Sequence, residues 1–299
     1  MAIKIADNDR LKRLLCLLPS LSMIFVFMLV PMGILLVFSF LEADPYGGVE
    51  PLFSTEAYMQ ILFDRDFDDN LEFQAIYLGI IWRSISLAAL ATFFCLALGF
   101  PVAYFVTRQH KGMQMLLLYL ISIPFWTNLL VRTYSWILIL ITDGVIEQPL
   151  KAMGVMEQSM GLMYTGFSVS VGLIYSYMPL MVLPIYASLE KIDFRLIEAG
   201  HDLYASRLQV MRKVILPLAK PGIIAGCILV YVPSLGAFIA PDLLGGGKNL
   251  MLGSLIQLQF SSSRNWPFGS AIAICLLALV MIVLLIQARN ARNLSSAHA

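Results

Sequence analysis

Charge is scarce in this sequence: 13 % of its 299 residues are Asp, Glu, Lys or Arg, against 59 % apolar residues. A soluble domain carries roughly a quarter charged residues, so that class is excluded. A net charge of +1 offers no basic field for a nucleic acid. The three histidines (His110, His201, His298) are scattered and the four cysteines (Cys16, Cys95, Cys227, Cys275) lie inside apolar runs. That spacing gives neither a metal set nor a redox pair, so the cysteines read as packing residues. A phosphate loop is also missing. In the stretch "LGGGKN" around Lys248, Asp242 stands where its first Gly belongs and Asn249 where Ser or Thr does. "DRDFDDN" (64–70) lacks the Gly and Glu of a calcium loop and reads as a solvated acidic surface. No catalytic constellation stands out, so the chain is not expected to be an enzyme.

What the sequence has is long charge-free runs: 14–41, 84–107, 112–131, 158–189, 221–241 and 265–288. Each reaches the roughly 20 residues a helix needs to cross the hydrocarbon core. Continuous runs such as "LLALVMIVLLI" lack the alternation of a barrel strand. The reading is an all-α integral membrane protein with six transmembrane helices, the first a retained anchor rather than a cleaved signal. Fourteen Lys and Arg residues fall on one side of these spans and four on the other. Both termini are therefore expected in the cytoplasm, which puts the formal glycosylation match "NLS" (293–295) inside. The resulting domain plan is a cytoplasmic tail at 1–13, a first span at 14–41 and an extracytoplasmic loop at 42–80. A core at 81–289 with a polar loop at 190–220 follows, then a cytoplasmic tail at 290–299. Residues 42–72 carry nine acids and one base, enough chain for a small outer cap.

One cytoplasmic stretch is unlike the rest: "EAGHDLYASRLQVMRKVILPLAKPG" (198–222). From Phe194 on, Ile197, Leu203, Leu208, Met211 and Ile215 recur at about helical spacing, with Arg207, Arg212 and Lys213 between them. This predicts two short amphipathic helices with a bend near Tyr204 and Ala205, stopped by Pro217 and Pro221. Helices lying among anionic headgroups fit the basic residues. Glu198 and Asp202, one turn apart at the front, fit a helix N-terminus and a protein partner better.

The residues carry a resemblance. Glu198-Ala199-Gly200, followed by Val214, Leu216 and Pro217, resembles the EAA loop of permease subunits in bacterial ATP-binding-cassette importers: Glu-Ala-Ala, three residues, Gly, nine residues, Ile, one residue, Leu-Pro. Gly200 and Val214 are mild substitutions, whereas Tyr204 stands where the family favours Gly. "IPFWTNLLVRTYSW" (123–136), "LPIYASLEKID" (183–193), "GGGKNLMLGSLIQLQF" (245–260) and "NWPFGSA" (265–271) are similar to membrane subunits of spermidine/putrescine importers. The resemblance implies a type I importer permease-like bundle in the bacterial inner membrane, with residues from about 194 to 217 forming cytoplasmic coupling helices. The coupling set would be Glu198, Ala199, Gly200, Asp202, Leu203, Tyr204, Ala205, Leu216 and Pro217. Implied partners are a second permease subunit, two ATP-binding subunits, an extracytoplasmic substrate-binding protein and the lipid bilayer. ATP and Mg would belong to the partner ATPases, and this chain would bind no cofactor or metal. The cargo would be a polyamine, with another small cationic or amino compound as the alternative.

A polyamine needs carboxylates or aromatic faces along its route. Trp126, Asn128, Tyr134 and Asp242 fall toward the outer side and form the expected pathway set, while Trp and Tyr interfacial belts fit the same positions. Arg132 is expected to pair structurally with Asp242. Pro179 and Pro184 are expected to interrupt the fourth span, and Pro233 with Gly236 the fifth. The rival class, an ion-coupled secondary transporter, would want ionisable residues deep in the membrane. Here the charges cluster at span ends.

Overall fold

The computed structural model describes residues 17–65, 71–153, 161–193 and 195–296. The 1–13 tail, Cys16, residues 66–70 of the acidic stretch, Phe194 and His298 lie outside the described residues. The chain divides into two compact units, one of residues 1–74 with 258–277 and one of residues 75–257 with 278–299.

The first unit begins with α1 (Leu17–Phe38), free of charge and with its apolar residues unburied. Two antiparallel hairpins follow. Strands β1 (Leu41–Ala43) and β2 (Val49–Phe53) pair with a bulge between Leu41 and Glu42. Helix α2 (Glu56–Met59) leads to β3 (Phe63–Arg65) and β4 (Leu71–Phe73). The glycines at the first turn, Gly47 and Gly48, have φ of 101° and 112°, which other residues rarely adopt. A Cβ at Gly47 would lie 2.7 Å from the Arg264 Cβ. The expected outer loop is thus a small β structure, and the first span ends at Phe38 rather than 41.

The second unit is a helical bundle. Helix α3 (Ile76–Thr107) starts well before the expected residue 84. After it come α4 (Lys111–Trp126), α5 (Leu129–Leu140), α6 (Glu147–Ala152) and α7 (Gly166–Leu189). Helix α8 (Arg195–Asp202) precedes α9 (Arg207–Leu235), followed by α10 (Ile239–Gly245) and α11 (Leu252–Ser261). Helix α12 (Trp266–Ser296), which belongs to the first unit up to Leu277 and to the second beyond it, runs through most of the expected 290–299 tail. Helix α7 opens later than the expected 158, on a capping box in which Thr165 and Ser168 satisfy each other's backbone donors. It is the central helix, buried along most of its length from Ser168 to Leu189.

In hydrocarbon the helices gain little by hiding apolar surface from lipid, so close packing must hold them together. Accordingly α3 buries mostly small residues at helical spacing: Ser84, Ala88, Ala91, Cys95, Gly99 and Ala103. Gly222 and Gly226 bring α9 against α7, where Cβ atoms would lie 2.4 Å from the Ser188 Oγ and 2.8 Å from the Met181 Sδ.

Five helices are long and apolar enough to cross a membrane, and the sixth crossing requires α4 and α5 to act as one span bent by 91°. The expected straight span at 112–131 is therefore broken. Thr127 and Asn128 are extended (ψ 150° and 134°), and the Asn128 side chain caps α5 by accepting from the Leu130 N–H at 2.8 Å.

The proline expectations also change. Helix α7 continues through Pro179 and Pro184, and α9 through Pro217, Pro221 and Pro233. Each proline costs one backbone bond, and the surrounding ladder persists where no water competes for it. At Pro217 the sequence removes even that cost. Met211–Ile215 forms a π turn in which the Leu216 N–H bonds to the Met211 carbonyl, so the ladder is already out of α register where the proline enters. The fifth span breaks only at Gly236, beyond Pro233.

Candidate functional site

The loop between α7 and α9 folds into a knuckle. Helix α8 ends at Asp202, and Tyr204 then adopts φ +58°, the left-handed conformation that usually falls to glycine. The Ala205 N–H closes the turn on the Gly200 carbonyl at 3.1 Å. Ser206 starts α9 with a second capping box: its Oγ accepts from the Gln209 N–H, and the Gln209 Oε1 accepts from the Ser206 N–H at 2.8 Å.

Three side chains anchor the knuckle. Ile197, Val210 and Ile215 are buried in a cluster with Val106, Ile185 and Leu189. Gly200 lets the two arms close, since a Cβ there would already touch Val210 at 3.2 Å. The outer face is apolar and bare: Leu203 is 82 % exposed, Tyr204 98 % and Leu208 65 %. Glu198, Ala199 and Asp202 are exposed beside them, and Ala205 is half-buried. Leu216 and Pro217 are exposed on the continuous helix beyond the π turn. One helical period through Leu203, Leu208 and Ile215 therefore does not describe this segment, because the left-handed residue resets the phase. Val210 takes the buried position, and the capping box Ser206–Gln209 was its legible signal.

The loop's upstream root is tied by an ion pair. The Lys111 Nζ lies 2.8 Å from the Glu190 Oε1 and holds that carboxyl below its usual range. Both groups are solvated, so the pair orients the root more than it stabilises the fold.

Of the expected pathway residues, Trp126, Asn128 and Tyr134 lie at or just beyond the α4–α5 bend, and Asp242 lies on α10. Trp126 (87 % exposed) ends α4, and Tyr134 is about half exposed on α5. Asp242 is exposed in the first turn of α10, which packs against α5 and α7. Asn128 is engaged as the α5 cap. Nearby, a cavity of about 140 Å³ is lined by Leu129, Ser176, Tyr177, Gly236 and Phe238. The Tyr177 hydroxyl donates to the Pro233 carbonyl at 3.3 Å, beside the Gly236 break.

The expected pair of Arg132 with Asp242 is not formed. Among the described residues no ion pair joins them, and Arg132 is buried with its Nε and Nη1 lacking any hydrogen-bond partner. Position explains this: Arg132 is turned into the packed side of α5, while Asp242 faces outward from α10.

The described residues hold no cluster of His, Cys, Asp or Glu suited to a metal ion.

Residues 96–296 match the family model of binding-protein-dependent transport system inner membrane components. The chain is 38 % identical over 270 residues to the spermidine/putrescine transport system permease protein PotB of Escherichia coli (strain K12), covering 90 % of this chain and 94 % of that one. It is 31 % identical to the inner membrane ABC transporter permease protein YdcU of the same organism, over 69 % of each chain. Among solved structures, a bacterial alginate ABC transporter in complex with an alginate-bound periplasmic protein matches with a TM-score of 0.75. The identity there is 16 %, over 97 % of this chain and 96 % of that one, so this likeness concerns the fold.

Proposed function

The chain belongs to the inner-membrane components of binding-protein-dependent transport systems, and from that premise we propose that it is the polyamine-translocating permease of an ATP-driven importer. It works with a second permease subunit, two ATP-binding subunits and an extracytoplasmic binding protein. Both termini face the cytoplasm, as the distribution of Lys and Arg requires. ATP and Mg belong to the ATPase subunits, and this chain supplies the passage and the handle that the motor moves.

The observation that carries this reading is the knuckle at 195–215. Its root is packed into the bundle by Ile197, Val210 and Ile215, while Leu203, Tyr204 and Leu208 are left bare. An apolar tip on a stiff, buried root suits a rigid docking element. Force applied at Ala199 passes through Gly200 and Val210 into α9, which is continuous with the membrane bundle to Leu235. The break at Gly236 then lets α10 move separately from α9. Closure of two ATPase subunits would thereby tilt α9 and rearrange the surroundings of Asp242.

On the outer side, the rings of Trp126 and Tyr134 and the Asp242 carboxylate present what a polyammonium ion binds: aromatic faces and one negative charge. Asn128 serves the bend that positions these rings. Asp242→Asn is expected to lower putrescine or spermidine uptake about tenfold, the scale of one lost charge-assisted contact of roughly 1.5 kcal/mol. Co-purification with the ATPase should stay unchanged, and equal uptake would remove Asp242 from the pathway. The test of the whole reading is reconstitution with the co-purifying subunits and binding protein in liposomes. Uptake should require ATP and be competed by polyamines. Uptake driven by an ion gradient without the ATPase would overturn it in favour of a secondary transporter.

The left-handed residue gives a smaller prediction. Tyr204→Gly relieves a conformation costing about 1 kcal/mol, so amide exchange at 202–206 should slow roughly fivefold. Faster exchange would mean that the ring holds the turn in place.

A further inference from the structure

A second feature adjoins the knuckle and shares only Glu198 with the proposed motor-docking set. A cavity of about 550 Å³ lies between the end of α3 and the knuckle. Ile197, Val210 and Ile215 give it an apolar floor, and all three are buried. Its exposed rim carries Arg108, Arg207 and His201 against one carboxylate, Glu198. The Arg108 guanidinium sits 5.7 Å from the centre of the Tyr104 ring, a stacking that restricts one wall.

We infer that this cavity binds a phosphate ester, seated on Arg108 and Arg207 with its apolar part over Ile197 and Val210. The size falls in the range of small-ligand sites, roughly 300–1,000 Å³. Two guanidinium groups on opposite elements match phosphate oxygens better than they match a cation or a neutral solute. The polyamine cargo is excluded by the same charges. Arg108 ends α3, whereas Arg207 begins α9. A phosphate bridging them would therefore tie the knuckle to a membrane helix that the motor does not grip, and would limit the knuckle's swing. The ester comes from an anionic phospholipid headgroup at the inner leaflet or from a cytosolic metabolite, and the two sources separate experimentally.

The test uses the full-length chain in nanodiscs of pure phosphatidylcholine or with one-fifth phosphatidylglycerol, with and without glycerol 3-phosphate. Hydrogen exchange over 195–211 is the readout. Protection by phosphatidylglycerol alone identifies the lipid, and protection by glycerol 3-phosphate in phosphatidylcholine identifies the soluble ester. In either case Arg108→Gln with Arg207→Gln should weaken the effect about 10- to 100-fold in ligand concentration. The double lysine variant should recover part of it. Lys213→Gln, an exposed cation absent from the cavity lining, should leave it intact. No protection by either ligand, or equal loss in Lys213→Gln, overturns the proposal. These readouts need no ATPase, so they stand or fall separately from the coupling role of the knuckle.

Discussion

Ala199→Trp is expected to leave the chain inserted and folded while reducing co-purification of the ATPase subunit at least thirtyfold. Ala199 is exposed on α8, one residue before the Gly200–Val210 contact. The free chain therefore has room for an indole there. A groove shaped to receive this surface does not, because a large ring would hold the two proteins apart over the whole Leu203–Leu208 tip. A thirtyfold loss corresponds to about 2 kcal/mol, the threshold of an interface hot spot. Glu198→Arg should act in the same direction by reversing a charge at the same edge. The measurement is affinity capture through this chain followed by quantification of the bound nucleotide hydrolase. Unchanged capture in both variants would remove the knuckle from the motor interface. Loss of the chain itself from the membrane would instead show that Ala199 belongs to the core.

The second large effect concerns the bundle. Gly222→Val should strip most of the folded chain from the membrane, and Gly222→Ala should already lower its melting temperature. Any Cβ at 222 would meet the Pro184 carbonyl at 2.5 Å and the Ser188 Cβ at 2.7 Å. The serine hydroxyl can rotate away, but the carbonyl belongs to the α7 backbone and cannot. Helices α7 and α9 would have to separate, at about 1–3 kcal/mol or more for overpacking. With lipid as solvent, no hydrophobic gain elsewhere offsets this loss. The matched control is Gly79→Ala: Gly79 lies in α3 with nothing within 4 Å of its Cβ position. Alanine there should be neutral or stabilise by up to about 1 kcal/mol through helix propensity. Equal behaviour of the two alanine variants in a thermal melt would refute the close-packing account.

Much of this protein was legible before any coordinates. The apolar runs located at least one end of five of the six crossings to within a few residues, because hydrocarbon forces each crossing to satisfy its own backbone, whereas the run at 221–241 missed both ends of α9. The bend near Tyr204 was legible from spacing, and the Glu-Ala-Gly stretch from its resemblance to the EAA loop. The misreadings share a cause. Proline was read as an interruption at 179, 184, 217 and 221, but a proline's cost depends on its neighbours. At 217 a π turn at Met211–Ile215, just before the proline, had already shifted the ladder. Leu203, Leu208 and Ile215 share one helical spacing in the sequence, yet only Ile215 is buried, because the left-handed Tyr204 resets the phase between the two arms. The pairing of Arg132 with Asp242 was inferred from similar depth, which says nothing about the direction each side chain takes.

What the amino-acid order determined unaided is therefore the solvent: a chain this apolar, with so few charges between its long runs, must be a multi-span helical membrane protein. That follows from composition and spacing, which act residue by residue. Only the tertiary structure decided which side chains are bare. The tip of the knuckle is exposed because Tyr204 turns left-handed and Gly200 meets Val210, and the α4–α5 span bends because Asn128 caps a new helix. Such outcomes depend on single caps, close approaches and the handedness of individual backbone angles, none of which leaves a periodic trace.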